Sequence, residues 1–389
     1  MTEAAVSVHI DEVPLGDPRI KDFVGFHWKH YRLNPYWVPQ LNADLLGNRL
    51  LGMKGLLTPE HPYHETAETT HFLASIDGET VGRISVSINR RFNDYYSTKI
   101  AFFGFFECIE EYAVAEALLD AARAWAKEHG AEVLRGPGEY GNVTHERQAC
   151  LIDGFDQDVF VEHTWNPKYY AEFIERYGCM KVMDYHAYVI DLTKPKPERV
   201  GMVAQAVRNR GHIETRALEM SRFEEDLAMV IDIYNQAWAE NWGFLPIQPY
   251  EVDALVEALK PIIDPGLVRF AFIDGKPIAV LGAFPDPNEA LQPRWKWYGD
   301  SDYTRLARLF ATRRKIKRVR LIFFGIVPGY RRHGADALLY HEVHEHTQSK
   351  GYTTCDVSLL LEVNELILRA AESMGGHRNK TWRIWDLPL

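Results

Sequence analysis

The chain repeats itself, and the repeat constrains its fold more than any other feature. Residues 71–76, an Asp77-Gly78 turn and residues 81–88 predict a β-hairpin, because apolar and polar positions alternate about an Asp-Gly turn. Residues 270–273, Asp274-Gly275 and residues 277–284 predict the same hairpin in the second half. An apolar run follows each: Phe102-Phe103-Gly104-Phe105-Phe106, then Phe323-Phe324-Gly325-Ile326-Val327. Such runs suit buried central strands. A helix comes next in each half, through Ala115-Glu116-Ala117-Leu118-Leu119 and Ala335-Asp336-Ala337-Leu338-Leu339, ending at Gly130 and Gly351. Strands at 132–134 and 353–361, helices from Asn166 and Asn364, and closing strands at 180–192 and 380–387 complete the match. So many correspondences in one order argue for duplication.

Each copy reads strand, helix, hairpin, strand, helix, strand, helix, strand. The early hairpin supplies antiparallel strands, so the expected class is α/β with a mixed sheet, not a doubly wound parallel one. A chain of 389 residues suits two domains. Two prolines in Thr193-Lys194-Pro195-Lys196-Pro197-Glu198 break the pattern, giving expected domains at 1–194 and 199–389. Residues 285–302 predict a long irregular loop inside the second.

The net charge of -10 argues against nucleic acid as a partner, since phosphate backbones need a basic face. One stretch is basic nonetheless: Arg305, Arg308, Arg313, Arg314, Lys315, Lys317, Arg318 and Arg320. It reads as a solvated helix and strand entry, or as an attractor of an anion. Cys108, Cys150, Cys179 and Cys355 are scattered without paired spacing, as in a reducing compartment. The first residues show no signal-peptide pattern, and no apolar run approaches the ~20 residues of a membrane span. The expected location is the cytoplasm.

The halves differ most between central strand and helix. The second half has Val327-Pro328-Gly329-Tyr330-Arg331-Arg332-His333-Gly334-Ala335; the first has Cys108-Ile109-Glu110-Glu111-Tyr112-Ala113-Val114. A turn bearing glycine and arginine at a helix start offers backbone N–H groups and the positive end of the helix dipole to an anion. Two glutamates there would repel one.

At this loop the chain resembles the GNAT acyltransferases: strand, V-P-x-Y-R-x-x-G, then an apolar helix is similar to their coenzyme A pyrophosphate loop. The whole chain further resembles a bacterial group of tandem GNAT proteins. That likeness rests on Asn34-Pro35-Tyr36-Trp37-Val38-Pro39, His61-Pro62-Tyr63, Val81-Gly82-Arg83-Ile84, Asp153-Gly154-Phe155-Asp156 and Asn166-Pro167-Lys168-Tyr169-Tyr170. The resemblance implies two GNAT-like domains, a degenerate first and a second that binds acetyl-CoA or a longer acyl-CoA through Arg331, Arg332, His333, Gly334 and Ala335. It implies backbone N–H groups at Ile326 or Val327 for the thioester carbonyl, and Asn364 beside the pantetheine arm as well as at a helix N-cap. Glu362, at the end of an apolar strand, is the candidate base, because burial raises a carboxyl pKa. Two positions depart from the pattern: Asp336 where glycine or alanine is usual, and Ala371 where a tyrosine often acts as acid.

Tyr340-His341-Glu342-Val343-His344-Glu345-His346 is not the zincin pattern, so no metal is expected. His145, Glu146 and Asp153, in the insertion 136–163, are candidates for lining an acceptor pocket between the domains. The leading expectation is a coenzyme A-dependent N-acyltransferase acting on a small-molecule or lipid-like amine. A degenerate pair that senses acyl-CoA or scaffolds partners, and a Fem-like transferase using aminoacyl-tRNA, are the alternatives.

Overall fold

The computed structural model describes residues 7–32, 34–140, 147–248, 250–252, 256, 260–293 and 301–389. Two compact units emerge, and neither is contiguous in sequence. The first comprises 1–184, 291–307 and 381–389; the second comprises 185–290 and 308–380.

The strands of the first unit are β1 (His9–Glu12), β2 (Ala67–Ile76), β3 (Glu79–Asn89), β4 (Ile100–Cys108), β5 (Val133–Gly138) and β6 (Cys150–Asp153). The strand β7 (Met180–Asp191) follows, and its residues from Tyr185 onward belong to the second unit. There the chain adds β8 (Glu214–Ala217), β9 (Val268–Ile273), β10 (Lys276–Pro285), β11 (Arg318–Ile326), β12 (Thr354–Leu361) and the start of β13 (His377–Pro388).

Both units run in one order. In the first it is β1-β2-β3-β4-β5-β13; in the second it is β8-β9-β10-β11-β12-β7. Each has three antiparallel pairings, then a parallel pair (β4 with β5, β11 with β12), then an antiparallel closing strand. The mixed sheets expected from the hairpins are present.

The closing strands are exchanged relative to the sequence expectation. Trp385 to Pro388 pair with Gly136 to Val133 of the first unit, and Tyr185 to Asp191 pair with β12 of the second. Their side chains go with them: Trp385 and Leu387 enter the core of the first unit around Leu118, Leu119 and Leu134. Tyr188, Ile190 and Leu192 enter that of the second around Leu281, Leu338 and Leu339. The chain therefore passes between units at Asp184/Tyr185, ahead of the linker expected at 193–198.

The region 285–302 contributes a short helix, Asn288–Leu291, and then leaves its own half. Of the described residues that follow, 291–293 and 301–307 belong to the first unit. They are held there by Asp302, which accepts from the N–H groups of Asn42 and Ala43 at 3.0 and 2.7 Å. Arg305 reinforces the tie. It is wholly buried and donates to the carbonyls of Leu291, Pro39 and Gln40, so it is not a solvated helix residue. Arg320 is also buried and Arg318 meets Asp286 at 2.7 Å, while Arg313, Arg314, Lys315 and Lys317 are exposed.

Candidate functional site

In the second unit β11 and β12 pair only from Arg318↔Thr354 to Leu321↔Val357. β12 continues beside β7 to Leu361↔Tyr185 without pairing β11 further, so the far end of β11 has an open edge. The ladder to β10 fixes which backbone groups face it. Val327 N–H donates to Ile278 O at 2.9 Å, and N–H directions alternate along a strand. Ile326 therefore points its N–H at the open edge. Of the two groups expected for a thioester carbonyl, Val327 is excluded as a donor because its N–H is engaged with β10.

The turn after β11 leads to the helix Ala335–Lys350, whose N-cap is Gly334. Gly334 adopts φ +85°, and a Cβ there would lie 2.5 Å from Val207 Cγ2 on the helix Glu198–Arg210, so only glycine fits this close approach. Glycine has no side chain to cap this helix, so its first N–H groups receive no N-cap acceptor, and the dipole adds positive potential. Arg331, Arg332 and His333 are exposed around it, and Arg331 reaches the Ala237 carbonyl at 3.3 Å. Ala335 is fully buried beneath the turn.

At the end of β12, Glu362 is partly exposed, and Asn364 accepts from Ile367 N–H as the N-cap of Glu365–Ser373. The buried carboxylates of this unit lie elsewhere. Asp356 and Asp286 are fully buried, Asp356 beside Ser358 and Arg320, which donates to Ser358 Oγ at 3.2 Å. Sequence reasoning missed this cluster. The available signal was Asp356 and Ser358 alternating with Cys355 and Val357 inside an apolar strand.

The first unit closes the equivalent places. Counting from each hairpin turn, Ile109 N–H donates to Val81 O as Val327 does to Ile278. Cys108 opposite Gly82 thus matches Ile326 opposite Ala279, three residues away from the glycine-on-glycine match of the sequence repeat. The offset is the same at the other end of each strand, where Ser87↔Phe102 matches Phe284↔Arg320, because each ladder carries one bulge, at Arg83/Ser85 and at Gly282/Ala283. Cys108 N–H donates to the hydroxyl of Tyr170 at 3.0 Å. The helix Tyr112–Glu128 is capped by Glu111, which accepts from Ala113 N–H. An anion at that helix start would meet a carboxylate already in place.

The first unit instead holds a cavity of about 90 Å³ where β4 and β5 part after Gly104↔Gly138. Its polar lining includes His27, Arg83, Glu107, Glu139 and Arg147, and its walls include Tyr31, Trp37 and Trp165. Burial raises the Glu139 carboxyl to about 7, against the opposing pull of the Arg147 charge. His145 and Glu146 lie outside the described residues, while Arg147, Ala149 and Cys150 of the same insertion do line the cavity.

No family model matches the chain. Among solved structures it is similar to a tandem GNAT protein from the clavulanic acid biosynthesis pathway, with TM-score 0.53 and 10% identity over 98% of both chains. The chain has the tandem GNAT fold. A second neighbour is the GCN5-related glucosamine N-acetyltransferase region of a fungal multi-domain β-N-acetylglucosaminidase, with TM-score 0.56 and 14% identity. That match covers 99% of this chain and 38% of the larger protein. Among curated proteins the chain is 28% identical to a bacterial ceramide synthase of Caulobacter vibrioides, over 100% of its own length and 99% of the relative. It is also 28% identical to protein YghO of Escherichia coli, over 70% of its length and 67% of that protein. The fold is thus one used by acyltransferases. Among the described residues, no helix is long and apolar enough to cross a membrane, and no group of His, Cys, Asp or Glu is arranged to hold a metal ion.

Proposed function

We propose that the chain transfers an acyl group from coenzyme A to a primary amine, with the donor held by the second unit. The observation that carries this reading is the contrast between the two helix starts. Gly334 leaves the N–H groups of a sixteen-residue helix without a side-chain cap, whereas Glu111 occupies the matching place in the first unit. A pyrophosphate would accept from those N–H groups with Arg331 and Arg332 as counter-charges. Asp336 sits in the first turn, where a carboxylate suits the dipole.

The pantetheine arm would follow the open edge of β11 past Asn364, bringing the thioester oxygen to Ile326 N–H. The amine nitrogen adds to the thioester carbon, the oxyanion is held by that N–H, and collapse breaks the C–S bond to release the thiolate. The ammonium proton passes to a base, for which Glu362 remains the candidate. Ala371 is buried and offers no hydroxyl. A thiol with a pKa near 8.5 leaves as thiolate without an acid, so the missing tyrosine is compatible with turnover.

The relative named as a ceramide synthase supports a finer reading. A ceramide is the amide of a fatty acid with a long-chain amino alcohol, so a long acyl-CoA and a lipid-like amine are the favoured pair. Calorimetric titration with acetyl-CoA and palmitoyl-CoA tests it. Binding of palmitoyl-CoA that Arg332→Glu weakens at least tenfold is the expected result. Absence of binding to either at millimolar ligand would favour a scaffold, and unchanged affinity in the variant would remove the loop assignment.

A further inference from the structure

The first unit cannot offer the two donor contacts described above, yet it retains a cavity with several buried polar groups in its wall. Its residues can be sorted by whether their hydrogen-bonding capacity is already used. Arg83, 2% exposed, donates through Nε to Glu107 at 2.8 Å, through Nη1 to Phe23 O at 2.6 Å and through Nη2 to His27 Nδ1 at 3.2 Å. Arg83 and Glu107 therefore satisfy one another and leave little for a ligand.

His27 is different. A guanidinium only donates, so His27 Nδ1 must accept, and the proton of the neutral ring lies on Nε2. Burial, with the Arg83 charge adding to it, holds the ring well below its usual pKa and hence neutral. Among the described residues Nε2 has no hydrogen-bond partner, although His27 is only 4% exposed and lines the cavity. An orphan buried donor of this kind costs about 1–3 kcal/mol unless something accepts from it.

Glu139, 7% exposed, supplies the complement. It accepts from the backbone N–H of Arg147 and from the Gln40 side chain, and two carboxylate oxygens have room for a further donor. Arg147 directs Nη1 to Val38 O at 3.0 Å. The aromatic walls, with Trp37 and Tyr31 at 5.3 Å between ring centroids, suit a cation through their π faces. A volume of about 90 Å³ is several times what a water requires and has room for a headgroup of a few heavy atoms.

We propose that this cavity binds the polar end of a hydroxyl-bearing primary amine, Glu139 accepting from its ammonium and His27 Nε2–H donating to its hydroxyl oxygen. The cavity by itself asks for a ligand with one donor and one acceptor. That the donor is an amine rests on the acyl-transfer reading above.

The test uses the full chain and a soluble probe, 2-amino-1,3-octanediol, titrated calorimetrically beside 1,3-octanediol and octylamine. The aminodiol is expected to bind at least tenfold tighter than either single-function compound. Glu139→Gln and His27→Phe are each expected to lose tenfold or more of that affinity while keeping wild-type affinity for palmitoyl-CoA. No aminodiol binding at millimolar concentration, equal binding of the plain diol, or wild-type affinity in both variants would overturn the proposal. Arg332→Glu separates the two readings. Loss of palmitoyl-CoA binding there with aminodiol binding intact supports both sites as independent, and absence of palmitoyl-CoA binding to the wild type counts against the donor site alone.

Discussion

The hydroxyl of Tyr170 accepts from the backbone N–H of Cys108 at 3.0 Å, in the place that the open-edge N–H of Ile326 holds in the second unit. One side chain thus fills, in one copy of the duplicated unit, the backbone position left facing an open edge in the other. Tyr170 is 2% exposed, and its hydroxyl also meets His30 Nε2 at 3.0 Å.

Tyr170→Phe should leave the Cys108 N–H orphaned in a buried place. A loss of about 1–3 kcal/mol in urea unfolding is expected. Because Glu111 still caps the helix, palmitoyl-CoA titration should give the same stoichiometry as wild type. A second binding site appearing in the variant would show that Tyr170 alone closes the first unit.

Gly334→Ala should weaken both fold and donor binding. The new Cβ would sit 2.5 Å from Val207 Cγ2 at φ +85°, costing about 1–3 kcal/mol. Gly329 has φ +93° but open space around it, so Gly329→Ala bears only the strain of the left-handed backbone, about 1–2 kcal/mol. Thermal unfolding of the two variants should rank them in that order, and the reverse order would refute the packing argument.

Glu139 should make the protein less stable as pH rises. Its carboxyl titrates near 7 in the fold and near its ordinary 4.5 when unfolded, so between these values the native state holds the extra proton. The stabilisation is complete below about pH 4.5 and is lost as pH rises through about 7, on the order of 3 kcal/mol in all. Glu139→Gln should flatten the unfolding free energy between pH 5 and 7. An unchanged slope in the variant would place the titration on another group.

Arg305→Lys should destabilise the protein by about 3 kcal/mol despite keeping the charge. The guanidinium fork serves three carbonyls from a fully buried position, and a single ammonium cannot span them. Urea unfolding measures this, and a loss below about 1 kcal/mol would mean the segment 291–307 is held chiefly by Asp302.

Much of the fold was legible. The Asp77-Gly78 and Asp274-Gly275 hairpins form as their turns predict, with positive φ at all four residues. Asn364 caps its helix, and Gly351 ends the helix before it in the left-handed conformation. These features depend on contacts within a few residues, and such contacts are written in local sequence. The buried polar groups were less legible. Glu139 follows β5 and His27 lies in the helix Ile20–Tyr31, so no spacing in the sequence joins them.

The sequence by itself determined the duplicated order of elements and the difference between the two loops, because turn chemistry, apolar period and side-chain charge act at short range. Only the tertiary structure decided which sheet each closing strand joins. The alternation in 180–191 and 377–388 says that a strand buries one face, but either core offers a parallel pair with an open side to receive it. The choice lies in how Trp385 and Leu387 fill one core while Tyr188 and Ile190 fill the other, a matter of shape between residues far apart in the chain.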